Sequence, residues 1–198
     1  GLGVERDYQK ARKFFEKLEK RENNSLALLN LAYIYLGGLG VPKDIPRTMH
    51  YYELAAKQGN ATALLNFGTM YSQGNGVERN YEKAIEYYKK SAKLQNSFAY
   101  LCLGDLYENG KGVTQDYLKA KKYYEISSRM NNSYALLSLG QLYEKGLGVK
   151  QNYFTALQYY TLSSKLNNSE AFFYLATLYS TVIPSEPDIP KTIQLLNS

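Results

Sequence analysis

The sequence predicts an all-α solenoid of stacked antiparallel helix pairs, built on a repeat of 36 residues. Three observations carry that prediction. The string Gly-x-Gly-Val occurs at residues 1–4, 38–41, 74–77, 110–113 and 146–149. An Asn ladder runs Asn24, Asn60, Asn96, Asn132, Asn168, always 36 residues apart. A second ladder runs Asp7, Asp44, Asn80, Asp116, Asn152, Asp188, again 36 apart after a first step of 37. Self-similarity at a fixed period is the signature of repeat architectures. Two ladders in phase along the chain do not arise by accident.

Each ladder marks a helix start, because Asn and Asp side chains accept the unpaired backbone N–H groups of a first turn. Repeats therefore start near Asn24, Asn60, Asn96, Asn132 and Asn168. They form one domain, residues 1–198, of about five repeats and a partial last one. After each Asn comes helix A, with an apolar period such as Ala63, Leu64, Phe67, Met70, Tyr71 or Ala135, Leu136, Leu139, Leu142, Tyr143. After each member of the second ladder comes helix B, as in Tyr81, Ala84, Tyr87, Tyr88, Ala92. Pro46 and Pro190 fall in its first turn, where a missing N–H costs little. The glycines between A and B supply the φ > 0 turns that end one helix and reverse the chain. The one extra residue of the first step falls between Phe15 and Asn23.

Small residues recur where helices must approach closely: Ala32, Gly68, Gly104, Gly140 and Ala176 in helix A, and Ala11, Thr48, Ala84, Ala120, Ala156 and Thr192 in helix B. Glycine inside a helix costs about 1 kcal/mol relative to Ala, so three at one repeat position need a packing reason. One hairpin cannot bury its apolar face alone, whereas stacked hairpins share a continuous core.

Composition narrows the function classes. Hydrophobic residues make up 44% of the chain, enough for a sizeable core and against general disorder. Tyrosine supplies most of the aromatics, 21 against 7 Phe and no Trp, which suits thin layers where a ring is buried and its hydroxyl reaches a wet edge. Net charge is +6. The cations sit among Glu residues on helix B (Lys83, Glu86, Lys89, Lys90, Lys93), which describes a solvated face rather than a nucleic-acid surface. With the single cysteine Cys102, neither an intrachain disulfide nor a CxxC metal site can form. No apolar run approaches the roughly 18 residues of a membrane span, and no signal peptide opens the chain. The sequence starts and stops inside repeat units, so it is expected to be a piece of a longer protein. The compartment stays open, with the cytoplasm preferred.

At these positions the chain resembles the Sel-1-like repeat (SLR) family, a relative of the tetratricopeptide repeat. The family pattern of Ala, Leu-Gly, Tyr, Gly-x-Gly-Val, Asp, Lys-Ala and Tyr-Tyr is matched by Ala99, Leu103-Gly104, Tyr107, Gly110 to Val113, Asp116, Lys119-Ala120 and Tyr123-Tyr124. It is matched again by Ala135, Leu139-Gly140, Tyr143, Gly146 to Val149, Asn152, Ala156 and Tyr159-Tyr160. The last unit departs from it, with Val182-Ile183-Pro184-Ser185 replacing the glycine loop and Leu195-Leu196 replacing the tyrosine pair. The resemblance implies a right-handed superhelix acting as an adaptor or assembly scaffold, with helix A on its concave wall. Some relatives were first described as cysteine-rich β-lactamase-like or penicillin-binding proteins. Those carry a cysteine pair in each repeat, which is missing here.

Candidate chemistry has plainer explanations. Gly110-Lys111-Gly112-Val113-Thr114 superficially looks like a phosphate loop, but it lacks the full Gly-x4-Gly-Lys-Ser/Thr spacing and a preceding strand. His50 is the only histidine and sits in no nucleophile–base motif. Cys102 occupies a position where sister repeats carry Asn30, Asn66, Ser138 and Tyr174, so it is an ordinary position. No catalytic, cofactor-binding or metal-binding residue is assigned, no cofactor is expected, and small-molecule binding is disfavoured. Four glycosylation sequons, Asn23-Asn24-Ser25, Asn60-Ala61-Thr62, Asn131-Asn132-Ser133 and Asn167-Asn168-Ser169, fall at one inter-repeat turn, where capping explains the residues.

The sharper expectation concerns binding. In helix A, Leu29, Leu65, Leu101, Leu137 and Phe173 form a ladder on the side away from Ala63, Phe67 and Tyr71. One turn on come Tyr33, Thr69, Asp105, Gln141 and Thr177, and two turns on Leu36, Ser72, Glu108, Glu144 and Ser180. Their variety implies that no shared packing rule fixes them. This stripe would line a groove with an apolar floor and a partly acidic lip that takes an extended or helical peptide. The alternative for the Leu ladder is packing between successive repeats. The expected function is a non-catalytic protein–protein interaction scaffold. A regulatory or targeting repeat region of a larger protein with an enzymatic domain elsewhere is the second possibility.

Overall fold

The computed structural model describes residues 7–22 and 24–181. Among them lie ten α-helices and no strand: α1 (Tyr8–Glu22), α2 (Ser25–Gly37), α3 (Ile45–Lys57), α4 (Ala61–Gln73), α5 (Tyr81–Lys93), α6 (Ser97–Asn109), α7 (Tyr117–Arg129), α8 (Ser133–Lys145), α9 (Tyr153–Lys165) and α10 (Ser169–Thr181). Even-numbered helices from α2 are the A helices and odd-numbered ones the B helices. The sequence features at residues 1–4 and 182–196, with Asp188, Pro190 and Thr192, lie outside the described residues.

Both ladders cap helices. Asn24, Asn60 and Asn132 have extended backbone and accept N–H groups of Leu26 and Ala27, Ala63, and Tyr134 and Ala135. Asp44, Asn80, Asp116 and Asn152 do the same for Arg47, Lys83, Lys119 and Thr155. Each such cap is typically worth about 1 kcal/mol. The B-helix caps also close the hairpin. The N–H groups of Asp44, Asn80, Asp116 and Asn152 return to the carbonyls of Tyr35, Tyr71, Tyr107 and Tyr143 at 2.9–3.0 Å. The intervening loop therefore has one length. At its start Gly146 turns left-handed (φ 68°) and sends its N–H to the Leu142 carbonyl, a geometry that L side chains rarely adopt. α1 runs 15 residues against 13 for α3, taking up the one extra residue of the first repeat and one residue of the following turn.

The chain divides into two compact units, Gly1–Ala99 and Tyr100–Ser198. In the first, Leu28, Leu29, Ala32, Tyr52, Ala55, Ala63, Phe67 and Met70 form a core shared by α2, α3 and α4. In the second, Tyr124, Ala135, Leu139 and Leu142 form one cluster, and Leu137, Ala156, Leu157, Tyr160, Ala171 and Leu178 another. Each cluster joins helices of neighbouring repeats, so the hairpins stack as the 36-residue period predicts. The fold class is an all-α repeat solenoid.

Candidate functional site

The two tyrosines of each B-helix pair have different tasks. The first stacks on a tyrosine of helix A: Tyr51 on Tyr35, Tyr87 on Tyr71, Tyr123 on Tyr107 and Tyr159 on Tyr143, with ring centroids 5.6–5.8 Å apart and planes within 21°. Arg47, Lys83 and Lys119 each lie 5.1–5.3 Å from the centroid of the helix-A ring, a cation–π arrangement. Repeat four has Thr155 at that place. Burial pushes the Tyr51, Tyr87, Tyr123 and Tyr159 phenols up.

The second tyrosine, at 52, 88, 124 and 160, is buried. At 88, 124 and 160 its ring lies over the glycine of helix A, and its hydroxyl emerges at the stripe singled out from sequence. Tyr88 Oη is 3.0 Å from Ser72 Oγ and donates to Thr69 at 3.4 Å. Tyr160 donates to Glu144 Oε2 at 2.5 Å. Tyr124 meets both Asp105 Oδ1 at 2.8 Å and Glu108 Oε2 at 2.6 Å. The first repeat breaks the pattern. Leu36 offers nothing polar, Tyr33 packs edge-on against Tyr52 with centroids 6.1 Å apart, and the buried Tyr52 hydroxyl has no partner within hydrogen-bond geometry among the described residues. The nearby Asn66 amide instead donates to Tyr33 Oη at 2.9 Å.

This corrects the expectation that no shared packing rule reaches the stripe. Thr69, Ser72, Asp105, Glu108 and Glu144 vary in type, but each faces the buried tyrosine hydroxyl of its own repeat. In-chain comparison hid this, because both Ser and Glu can accept a phenol proton.

A phenol carries one proton. Here it is shared between Asp105 Oδ1 and Glu108 Oε2 in a three-centre hydrogen bond. Asp105 is exposed as a residue, yet its carboxyl is tucked against Tyr124. Its pKa is raised, chiefly by burial. Glu108 adds to that, while the Tyr124 hydrogen bond and Lys111 oppose it. Burial also raises the Tyr124 and Tyr160 phenols strongly, and the adjoining carboxylates reinforce it.

The leucine ladder divides. Leu29 and Leu137 are 7% and 5% exposed and sit inside the core clusters, Leu137 against Ala171 and Leu178 of the next repeat. At these two positions packing between repeats replaces groove lining. Leu65 and Leu101 are half-buried, Leu101 packing against the cluster around Tyr124 and Leu139. Tyr33 and Phe173 are exposed, Phe173 by 69%. Thr69, Gln141 and Thr177 are half-buried, and the Thr69 and Thr177 hydroxyls donate to the carbonyls one turn back.

Charge is distributed unevenly. B helices carry local ion pairs such as Lys57–Glu53, Lys90–Glu86 and Lys121–Glu125. Among the described residues, Asp105, Glu108 and Glu144 of the second unit form no ion pair. Their first-unit counterparts, Tyr33, Leu36, Thr69 and Ser72, are uncharged. A depression of about 810 Å³ beside Lys121, Tyr143, Gln151 and Tyr153 is lined by none of the residues selected from sequence.

The Sel1 repeat signature matches residues 1–21, 25–60, 61–96, 97–132 and 133–168. The chain belongs to the Sel1 repeat family. It is 39% identical over 56 residues to Protein sel-1 homolog 2 of Homo sapiens, a stretch that is 28% of this chain and 8% of that relative. A Sel1 repeat protein from Oxalobacter formigenes has a similar crystal structure, with TM-score 0.83 and 29% identity over 98% of this chain and 80% of that one. A protective antigen present in uropathogenic Escherichia coli strains, displaying an SLR fold, gives TM-score 0.74 and 34% identity over 92% of this chain and 39% of its own. Sel1 repeat proteins are generally protein-interaction scaffolds. Among the described residues no helix is long and apolar enough to cross a membrane.

Proposed function

We propose that this Sel1 repeat chain is a non-catalytic scaffold that holds a basic, partly apolar peptide segment along the A helices of its second unit. One observation carries the reading. Asp105, Glu108 and Glu144 are oriented by buried tyrosine hydroxyls and form no ion pair among the described residues, on a chain whose net charge is +6. Fixing a side chain in advance removes part of the entropy cost of binding. An unpaired carboxylate at a partly desolvated edge favours a Lys or Arg of a partner. Leu101, Gln141, Phe173 and Thr177 on the same A helices supply apolar and polar contact beside the charges. Tyr33, Leu65 and Thr69, at the equivalent positions of the first unit, carry no charge. The negative edge repels phosphate backbones, which disfavours a nucleic-acid partner.

The test uses fluorescein-labelled 15-residue peptides of graded Lys/Arg and Leu/Phe content, titrated with the whole chain and read by anisotropy. Basic–apolar peptides should bind and acidic ones should not. D105K together with Q141K should weaken binding at least tenfold while circular dichroism shows unchanged helix. Undiminished binding by that helical variant refutes the site.

A further inference from the structure

The repeated turn from helix B to helix A separates three sequons that look alike in sequence. Asn60 is the cap of α4. Its Oδ1 accepts the Ala63 N–H at 3.1 Å, and its Nδ2 donates to the carbonyl and Oγ of Ser25, both at 3.4 Å. The other two are offset by one residue. At Asn131-Asn132-Ser133 the cap is Asn132, 4% exposed, whose Oδ1 accepts the N–H groups of Tyr134 and Ala135 at 3.1 and 3.3 Å. At Asn167-Asn168-Ser169 the cap is Asn168, 5% exposed, accepting from Glu170 at 3.0 Å. The acceptor residues proper, Asn131 and Asn167, are exposed. They stand in left-handed backbone at φ 59° and 60°, and their side chains make no hydrogen bond among the described residues. Capping therefore accounts for Asn60 and fails to account for Asn131 and Asn167. The left-handed turn does not demand Asn either, since Gly59 and Gln95 hold the same position at φ 77° and 59°.

We propose that Asn131 and Asn167 are acceptor sites for N-linked glycan and that Asn60 is not. The co-reactant is a lipid-linked oligosaccharide pyrophosphate. The Asn Nδ2 bonds to the sugar C1, and the C1–O bond breaks with the lipid pyrophosphate leaving. The amide proton passes to a base of the transferring enzyme. At Asn131 and Asn167 the product projects into solvent beside Ser133 and Ser169, the first residues of α8 and α10. At Asn60 the same bond would replace an Nδ2 hydrogen that joins two repeats, so the glycosylated chain would lose that junction.

The experiment places the whole chain, carrying N23Q to simplify the count, behind a cleavable secretion signal in cultured eukaryotic cells. Exported protein, or the membrane-enclosed pool where none is exported, is checked for helix by circular dichroism. It is then digested with peptide N-glycosidase F in ¹⁸O-water. The expected result is an ¹⁸O-Asp label at 131 and 167 and none at 60. N131Q and N167Q should each remove one glycan step on a gel, and N60Q none. A helical chain bare at both 131 and 167, or labelled at 60 as fully as at those sites, overturns the proposal.

Discussion

Tyr124 lies over Gly104 so closely that a Cβ on the glycine would sit 2.3 Å from Cε1 and 2.6 Å from Cδ1 of the ring. The same relation holds for Gly68 with Tyr88 and Gly140 with Tyr160, each at 2.4 Å. Helix A accepts a poor helix former because its partner tyrosine occupies the space of the missing methyl group.

Gly104→Ala should therefore destabilise the fold. The methyl improves helix propensity by about 1 kcal/mol, but overpacking a filled core costs typically about 1–3 kcal/mol. The Tyr124 ring is fully buried and anchored at its hydroxyl, so it cannot swing aside. A net loss of about 1–2 kcal/mol is expected in urea unfolding. Ala32 is buried in the same core cluster as Tyr52, so Ala32→Gly should also lose stability, by about 1 kcal/mol, from propensity alone. Equal or greater stability of Gly104→Ala contradicts the steric account.

The buried hydroxyls should behave oppositely in different repeats. Tyr160→Phe removes a hydrogen bond to Glu144, and bonds to charged groups are worth about 1.5–3 kcal/mol. Its melting temperature should fall. Tyr52→Phe removes a buried hydroxyl that has no well-formed hydrogen bond among the described residues, relieving a desolvation cost of about 1–3 kcal/mol. Its melting temperature should hold or rise. Parallel scans of the two variants decide it; a loss in Tyr52→Phe as large as in Tyr160→Phe rules out the distinction.

Stability should decline in strong alkali. The phenols of Tyr51, Tyr52, Tyr87, Tyr123, Tyr124, Tyr159 and Tyr160 all titrate above their ordinary value when folded, mainly through burial. Above about pH 10 the unfolded chain sheds phenol protons that the native chain keeps, so stability falls as pH rises. Below about pH 10 that contribution is fully present. Asp105 obeys the same sign lower on the scale. Its raised pKa means that some stability is lost as pH climbs from about 4 through its folded value. Urea midpoints from pH 4 to 11 should show both declines, and Asp105→Asn should remove the lower one.

The period, the helix order, both families of caps and the glycine turns were legible from residues alone. Each depends on contacts within one repeat, and a local rule acting at a fixed spacing leaves a visible ladder. Asp116 caps α7 whatever surrounds it. What the ladder residues do across helices was not legible. Leu137 and Phe173 occupy equivalent sequence positions, yet one is sealed by the helix of the next repeat and the other is exposed. The acids at 105, 108 and 144 looked like unconstrained surface, whereas tertiary packing set a tyrosine hydroxyl beside each. Sequon identity was legible in part. One residue of offset between acceptor and cap divides Asn60 from Asn131 and Asn167; the ladder shows that offset, and the structure adds that Asn131 and Asn167 stand exposed in left-handed backbone. Sequence by itself determined the repeat and its hairpins, because those obey short-range hydrogen-bonding rules. Tertiary structure decided which side chains remain exposed and which tyrosine hydroxyl each acid meets, because those contacts join residues 16 or 19 positions apart, or in different repeats.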